Sequence, residues 1–444
     1  MLTMREAAMV LTRHLQNAGF TAYFAGGCVR DRLMGRTPDD YDIATDARPE
    51  QMKKLFPNAK WVGAHFGVVN VRSSGYEYQI ATFRTDGSYT DGRRPESVEF
   101  STPEEDAARR DFTVNGLFEE PESGAILDFV GGLADLKKKS IRAIGNARQR
   151  FEEDHLRLLR AVRFATVLEG FTIEDETWSA ICHAAPKIQQ IAPERIRAEL
   201  GKIWAHPCRG HGFDLLVESG LMQAILPEIM QLRGCEQPPQ WHPEGDVFTH
   251  TRIMLDLLPP QAPEELVLAV LLHDIAKPAT ASTDSDGRIR FNGHDRVGAE
   301  MAETILRRLR YPNDIIEPVV VMVRQHMNFM NVKSMRTAKL KHFMARSTFA
   351  LELELHRADC LSSNGLLDNH AFLHEKQEEF AQTPLIPPRL VSGMDLLELG
   401  WQAGPELGRM LADIQTLQLE GELSTRADAI NWLLARRPSS PADQ

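Results

Sequence analysis

Cysteine is scarce in this chain of 444 residues: there are five, at positions 28, 182, 208, 235 and 360, with no CxxC spacing. That excludes a dense disulfide framework and fits a reducing cytoplasm. No apolar run approaches the roughly 18 residues of a membrane span. The opening MLTMREAAMVLTRHL places charge at Arg5, Glu6 and Arg13 on a helical period, so it reads as neither signal peptide nor anchor. No internal repeat is visible. Hydrophobic residues at 43% and charged residues at 25% exclude whole-chain disorder and fibrous classes. A surplus of positive charge is missing too: 51 Lys+Arg against 62 Asp+Glu leave −11. Taken alone, that balance argues against a nucleic-acid partner.

The length predicts about three domains at roughly 150 residues each. The head reads as α/β. A helix over 3–18 precedes a short strand at Ala22–Ala25, and a helix over Val29–Met34 leads to a strand at Tyr41–Ala44. After a helix over Pro49–Phe56, Phe66–Arg72 and Glu77–Phe83 read as a hairpin turning at Ser73-Ser74-Gly75. Beyond Asp154 the pattern becomes helical, as in Leu156–Leu168, Glu194–Trp204 and Leu266–Ile275, with one strand signal at Arg288–Phe291. QPPQWHP (237–243) and TPLIPP (383–388) read as linkers, and RRPSSPADQ as a frayed tail. The expected fold class is an α/β head on a mostly α-helical body.

Two clusters in the head carry chemistry. Gly26-Gly27-Cys28-Val29-Arg30-Asp31 runs from strand through turn to helix. Glycines allow close backbone approach, and a helix N-terminus directs N–H donors at an anion. Arg30 adds a guanidinium that suits phosphate or Asp31. By itself a Gly-Gly turn is more often a packing feature. In Asp39-Asp40-Tyr41-Asp42-Ile43, Asp40 and Asp42 project to one strand face, roughly 7 Å apart along the backbone. Two such carboxylates repel unless a cation lies between them, and Mg²⁺ is the natural occupant. Alone, the cluster also reads as a solvated acidic turn. Together, a Gly-Gly turn followed by DxD on the next strand is how a sheet edge holds a nucleoside triphosphate and two metals.

At this point the sequence resembles the class II tRNA nucleotidyltransferase and poly(A) polymerase family, of the DNA polymerase β-like superfamily with its mixed-sheet head. The matching segments are GGCVRD (26–31), DDYDIAT (39–45), QIATFRTDGSYTDGRRP (79–95) and RRDFTVNGL (109–117). DFVGGLADL (128–136), EEDHLRLLRAVRFA (152–165) and PERIRAEL (193–200) continue in family order. The resemblance implies that Asp40 and Asp42 are catalytic and hold two Mg²⁺ ions that activate an RNA 3′-hydroxyl and neutralise pyrophosphate. It implies that Gly26, Gly27 and Arg30 cradle the triphosphate, that Arg110 and Asp111 meet the ribose, and that Asn115 holds that segment. The family usually has a carboxylate where this chain has Gln79, and Glu77 lies on the same strand face.

Asp154 and Arg157 sit at i and i+3, neighbours on an expected helix face, where an ordinary ion pair is the default. The resemblance implies that this pair reads the incoming base, with Glu153 in support and Arg160 and Arg163 among the nucleotide-binding residues. Cytosine and adenine both offer an amino donor beside a ring acceptor, which a carboxylate and a guanidinium match without a template. Arg84, Arg93 and Arg94 surround the DGSYTDGRRP loop, which in the family helps switch from C to A addition. Its presence favours CCA over CC-only addition. A GRRF-like segment of poly(A) polymerases is replaced by Val62-Gly63-Ala64-His65-Phe66-Gly67, which favours tRNA.

In the body, the apolar helix Leu266–Leu272 runs into His273-Asp274 before Pro278. Burying these uncompensated is costly. With His250, His294, His326 and Asp359 they form an ordered H…HD…H…H…D set that resembles the HD phosphohydrolase superfamily. The resemblance implies a first metal on His250, His273, Asp274 and Asp359, with His294 and His326 for a second ion or a phosphate. Such donors suit Mn, Ni, Co, Fe or Zn, although a metal-free HD fold is the alternative. In some family members such a domain hydrolyses phosphate esters, including 2′,3′-cyclic phosphates at RNA ends. Between Glu317 and Glu352, Arg324, Lys333, Arg336, Lys339, Lys341 and Arg346 occur with no acid, as an RNA-facing surface or a solvated helix face. Asp395 after Gly393 marks a helix start.

The expected domains are a nucleotidyltransferase head (1–140), a helical neck with nucleotide recognition and RNA binding (141–236), an HD domain (237–362) and a C-terminal helical region (363–444). The expected activity is cytoplasmic CCA addition to tRNA from CTP and ATP, with an attached phosphohydrolase. The alternatives are a poly(A) polymerase or A-adding enzyme, and a phosphohydrolase with a weak, RNA-binding head, for which Gln79 is the one hint. The inference from net charge is then withdrawn. Arginines gather at 84, 93, 94, 109 and 110 and again at 142, 148, 150, 157, 160 and 163, a basic strip on an acidic body.

Overall fold

The computed structural model describes residues 2–61, 67–87, 98–382 and 384–436. Arg93, Arg94 and residues 62–66, on which two expectations rest, lie outside them. The chain forms two compact units, one of Met1–Met230 with Arg307–Tyr311, the other of the remainder from Gln231 onward.

The first unit opens on a helix at Met4–Asn17, started by a capping box between Thr3 and Glu6. The head strands that follow among the described residues are β1 (Ala22–Ala25), β2 (Asp42–Thr45), β3 (Lys60–Trp61), β4 (Val68–Ser73), β5 (Tyr76–Thr82), β6 (Arg84–Asp86), β7 (Val98–Phe100), β8 (Leu117–Glu119) and β9 (Ile126–Asp128), with a short pair at Ser140–Ile141 and Thr172–Ile173 further on. Seven form one sheet in the order β3-β4-β5-β2-β1-β8-β9, and β6 pairs with β7 separately. The β2–β5 pair is parallel and its neighbours are antiparallel, so the sheet is mixed, as expected. One face carries Phe24, Ile43, Val69, Tyr78 and Ile80 against Ala7, Leu11 and Leu15 of the first helix. The other face carries Ala25, Ala44 and Phe118 and belongs to the strand side that includes Asp42.

The register Ala25↔Asp42 sets the Gly-Gly turn and the paired aspartates at the same end of adjacent strands. Asp42, not Tyr41, begins the strand, and the helix after the turn starts at Gly27. The DFVGGLADL segment is built on one carboxylate. Asp128 Oδ1 accepts from the N–H groups of Val130, Gly131 and Gly132, and its Oδ2 from that of Leu133, which starts the helix Gly132–Lys138. A Cβ at Gly132 would lie 2.3 Å from the Thr113 carbonyl, so only glycine admits this approach. Helices at Ala147–Glu153, Leu156–Val167, Asp175–Ala184, Pro193–Trp204 and Arg209–Glu218 complete the unit.

In the second unit, Leu266–Leu272 is buried all round, as the sequence predicts, and packs among helices Val247–Leu257, Asn313–Gln325 and Phe349–Ser362. The strand expected at Arg288–Phe291 is Ile289–Phe291, paired with Ala281–Thr283. QPPQWHP is no linker. Gln237 is buried and accepts from Lys277 at 2.7 Å, and Pro238, Trp241 and His242 wall a cavity. Toward the C-terminus, Ser392 and Asp395 form the capping box of Gly393–Glu398, and Leu396, Trp401, Ile414 and Leu433 make a separate small core. No helix among the described residues is long and apolar enough to cross a membrane.

Candidate functional site

The head cleft has a volume of about 800 Å³ and takes in every head residue singled out above for catalysis or nucleotide contact, from Gly26 to Arg163. Gly26 has φ +77°, and a Cβ there would come within 2.9 Å of Arg110 Nη1, so the turn needs glycine for both backbone and space. Arg110 is fixed from two sides. Asp106 Oδ2 accepts from its Nε at 3.1 Å, and the Asn115 carbonyl accepts from its Nη1 at 3.3 Å. Asp106 also accepts from Arg109 Nε at 2.9 Å, so one buried carboxylate clamps both arginines.

A second chain of bonds runs across the cleft floor. Arg30 donates to Asn115 Oδ1 at 2.5 Å and to Asp31 at 2.8 Å. Asn115 Nδ2 donates to Asp111 Oδ1 at 3.1 Å, and Arg160 Nε donates to Asp111 Oδ2 at 2.8 Å. Burial alone would raise the Asp111 carboxyl, but Arg160 and these hydrogen bonds outweigh it and hold it at about 2. Both Asp111 oxygens are thus already engaged with protein groups. Arg163 pairs with Glu199 at 2.9 Å and lies over the Phe164 ring.

Asp40 and Asp42 open into the same cleft. Surrounding protein and the neighbouring Asp40 charge push the Asp42 carboxyl up to about 6. Two hard oxygen donors that repel each other fit a divalent cation such as Mg²⁺. The β2–β5 register pairs Ile43 with Ile80, which brings Gln79 level with Asp42 on the aspartate face. Glu77 lies one pleat further out and is exposed, opposite Arg72.

Asp154 and Arg157 do not share a helix face, contrary to expectation. Asp154 is extended (φ −143°) and ends Ala147–Glu153, before the next helix begins at Leu156. Its carboxylate accepts from the Leu156 N–H at 3.0 Å and from Arg195 at 3.1 Å. Arg157 instead donates to Glu153 Oε2 at 2.8 Å and to the carbonyls of Arg150 and Arg109 at 2.9 and 3.1 Å. Glu153 also accepts from Arg150 at 2.9 Å, so it holds both arginines. Asp154 and Arg157 still line the one cleft.

In the second unit, Asp274, His294, His326 and Asp359 line a cavity of about 520 Å³, while His250 and His273 are buried and do not line it. Each histidine is oriented through Nδ1: His250 by Glu244 at 2.7 Å, His273 by the Val270 carbonyl at 2.9 Å, His294 by that of Phe291 at 2.7 Å, and His326 by that of Val323 at 2.6 Å. That leaves the Nε2 lone pairs to converge, the arrangement of metal-bound imidazoles. His250 Nε2 is 3.1 Å from Asp359, and His273 Nε2 is 3.1 Å from Asp274. Those carboxylates are the ion-pair partners of these two buried nitrogens, whose contacts with them fall short of hydrogen-bond geometry. His294 and His326 bring their Nε2 atoms to 3.1 Å of each other and to 3.4 and 3.8 Å from Asp274 Oδ1. Two facing lone pairs need a cation or a proton between them. His250, His273 and Asp274 form one group of potential ligands, and Asp274, His294 and His326 another, so Asp274 is shared.

Burial lowers the basicity of His250, but Asp359 and Glu244 outweigh it and raise the ring to about 9. His326 is pushed down to about 4 by burial. Asp274 is held well below the usual range, since His273 and Lys277 outweigh its burial. Lys277 donates to Asp274 Oδ2 at 2.6 Å.

Several contributors carry little or no signal in the sequence. Asp106 and Lys277 carry a helical i+3 signal toward Arg109 and Asp274 respectively. Glu244 stands six residues before His250, a spacing with no periodic signal. Of the basic stretch, Lys341 donates to the Leu419 carbonyl and Arg346 pairs with buried Glu352, so part of it serves packing.

Comparison with known proteins agrees with this layout. The chain matches the Poly A polymerase head domain over residues 22–142, the "probable RNA and SrmB-binding site of polymerase A" over 170–232, and the HD domain over 246–364. It is 32% identical over 436 residues to a CCA-adding enzyme of Geobacillus thermodenitrificans, covering 97% of each chain. A CCA-adding enzyme of Geobacillus kaustophilus is 45% identical over 223 residues, half of this chain and 54% of that one. The crystal structure of the Bacillus stearothermophilus CCA-adding enzyme in complex with CTP superposes with a TM-score of 0.75 at 27% identity, covering 98% of both chains. Cleft, ligand sets and full-length likeness agree: the chain belongs to the CCA-adding enzyme family, with an HD domain in its second half.

Proposed function

We propose that this protein adds CMP and AMP, from CTP and ATP, to the 3′ end of tRNA in the cytoplasm, building or repairing the CCA terminus. The observation that carries this is one cleft holding the Gly-Gly turn, Asp40 and Asp42, and Asp154 with Arg157. Asp40 and Asp42 would hold Mg²⁺, which when bound would supply Lewis-acid activation of the RNA 3′-oxygen and charge neutralisation at the leaving group. Gly26, Gly27 and Arg30 seat the triphosphate, and Arg110 lies beside it. The RNA 3′-hydroxyl gives up its proton to solvent as its oxygen bonds to the α-phosphorus, the bond from that phosphorus to the α–β bridging oxygen breaks, and pyrophosphate leaves with the electron pair. Asp154 accepts the amino group of cytosine or adenine while Arg157, held by Glu153, donates to the adjacent ring nitrogen. Guanine and uracil present the reverse polarity. Purified protein with a tRNA ending before CCA, given CTP and ATP separately and together, tests this. CCA addition is expected. Long A tails or A-only products replace the reading with a poly(A) polymerase or A-adding enzyme, and no product leaves the head as a binding module.

The cavity of the second unit is proposed to bind a transition metal (Mn, Ni, Co, Fe or Zn) and to hydrolyse phosphate esters, including 2′,3′-cyclic phosphates. His250, His273, Asp274 and Asp359 hold the first ion, and His294 and His326 a second ion or the substrate phosphate. A metal held there would make water available as a nucleophile at neutral pH. Water oxygen bonds to phosphorus, one ester P–O bond breaks, and the freed oxygen takes up a proton. Absence of metal in purified protein together with no turnover in added Mn²⁺ or Ni²⁺ retires this reading.

A further inference from the structure

Outside the histidine–aspartate cluster, the helix Asp368–Phe380 buries one side chain, Leu373, against the core of Phe329, Phe343 and Phe349. His370 and His374 stand one turn apart on it, and their ring centroids are 4.7 Å apart. Neither lines the cavity above the cluster. Histidines at i and i+4 present two imidazoles to one helix face, the spacing from which helices chelate zinc. By itself that spacing is a surface pattern. Here the inner ring, His370, is half-buried, and its Nε2 is sealed from solvent with no hydrogen-bond partner among the described residues. A buried polar nitrogen is costly to leave unpaired and is ordinarily satisfied by protein, water or an ion. Burial, and after it the neighbouring His374, hold His370 below its ordinary basicity, so at neutral pH the ring keeps a lone pair for an ion. Glu354, on the adjoining helix Phe349–Ser362, acts on that ring in the opposite sense and brings negative charge to it. The cation beside it, Arg357, is taken up by Glu354 at 3.0 Å and by the Leu257 carbonyl at 2.9 Å.

We propose that His370 and His374 form a transition-metal site of their own, taking Zn²⁺, Ni²⁺ or Cu²⁺ on one nitrogen of each ring with water completing the shell. Glu354 supplies the charge that a divalent cation needs nearby. The site is independent of both activities proposed above, since it shares no ligand with the head cleft or with the histidine–aspartate cluster. His374 is exposed and takes the ion from solvent. An ion bridging i and i+4 fixes one helical turn, so its binding energy adds to the stability of that helix.

Zn²⁺ is the probe, added to the full-length chain after its metals have been stripped with a chelator. Equilibrium dialysis counts the ions bound, and amide hydrogen exchange over residues 371–378 reads the turn that the pair would tie. The wild type is expected to bind one more equivalent of Zn²⁺ than His374→Ala and one more than His370→Ala. His342→Ala, which removes an exposed histidine from another helix, is expected to keep the wild-type number. Exchange over 371–378 is expected to slow on adding Zn²⁺ to the wild type and to stay unchanged in the His370→Ala and His374→Ala proteins. The exposed position of His374 keeps its replacement from disturbing the core. Equal counts in the wild type and both variants overturn the site. A count that falls in one variant and not in the other puts the ion on a single ring and overturns the pair, as does wild-type exchange indifferent to Zn²⁺. An equivalent lost from His342→Ala as well means scattered surface binding and overturns it too.

Discussion

Arg160 Nε donates to Asp111 Oδ2 at 2.8 Å, joining residues 49 apart in sequence. Through Asn115 the same carboxylate reaches Arg30, so the strand-turn-helix of the Gly-Gly turn is tied to the helix Leu156–Val167. One buried acid thus positions both the Arg30 side and the Arg160 side of the cleft.

Asp111→Asn is therefore expected to destabilise the protein by about 3 kcal/mol, because it leaves Arg160 with a partner of no charge. Urea denaturation measures this. The sign with pH follows from the carboxyl being held at about 2 against an ordinary 3.8. Its contribution is full above the ordinary value and is lost as pH falls toward 2. Asp111→Asn flattens that part of the acid limb, and an unchanged acid limb contradicts the assignment.

Asp42 behaves in the opposite sense. Its carboxyl is raised to about 6, so ionising it costs the fold increasingly as pH rises from 3.8 to 6. Asp42→Asn removes that cost and raises the Tm of metal-free protein at pH 7. The same change lowers kcat for nucleotide addition by about three orders of magnitude or more, on the scale of several kcal/mol of charge stabilisation by a bound cation. Added Mg²⁺ stabilises the wild type and not the variant. Equal stabilisation of both places the ion elsewhere.

Arg157→Ala should erode the preference for CTP and ATP over GTP and UTP by about 5- to 100-fold, the range of one bidentate base contact. On the proposed reading the Gly-Gly turn seats the triphosphate, so triphosphate affinity should change little. Glu153→Gln, which frees Arg157 and Arg150 from their shared carboxylate, should give a weaker form of the same loss. Competition between the four nucleotides in single-turnover addition measures both.

In the second unit, metal uptake is expected to tighten as pH rises toward 9, because His250 must lose its proton to become a ligand. The folded ring is raised from 6.5, so its pairing with Asp359 and Glu244 stabilises metal-free protein fully below 6.5 and is lost as pH rises through 9. Metal-free and metal-loaded protein therefore diverge in Tm most on the alkaline side. Equilibrium dialysis with Mn²⁺ across that interval checks the direction, and His250→Ala should remove the slope.

The chemistry-bearing residues were legible where a short spacing fixes geometry. The Gly-Gly turn, Asp40 with Asp42, and the His273-Asp274 step off a buried helix needed no tertiary information. Positions set by a break in the backbone were not. Asp154 and Arg157 look like helical neighbours, and only the extended backbone at Asp154 separates them, handing Arg157 to Glu153. Nor does any periodicity announce that Glu244 will sit behind His250, or that a proline-rich segment will be the wall of a cavity. Those depend on how distant segments meet.

Among the described residues, Asp274 belongs to two of the three potential ligand groups of the HD domain. A shared carboxylate makes their occupancies a single linked equilibrium. An ion held by His250 and His273 draws on the same charge that an ion between His294 and His326 requires, so each changes the other's affinity by an equal factor. Binding isotherms for this cavity then cannot be the sum of two independent curves, and their departure from that sum measures the coupling that one aspartate imposes.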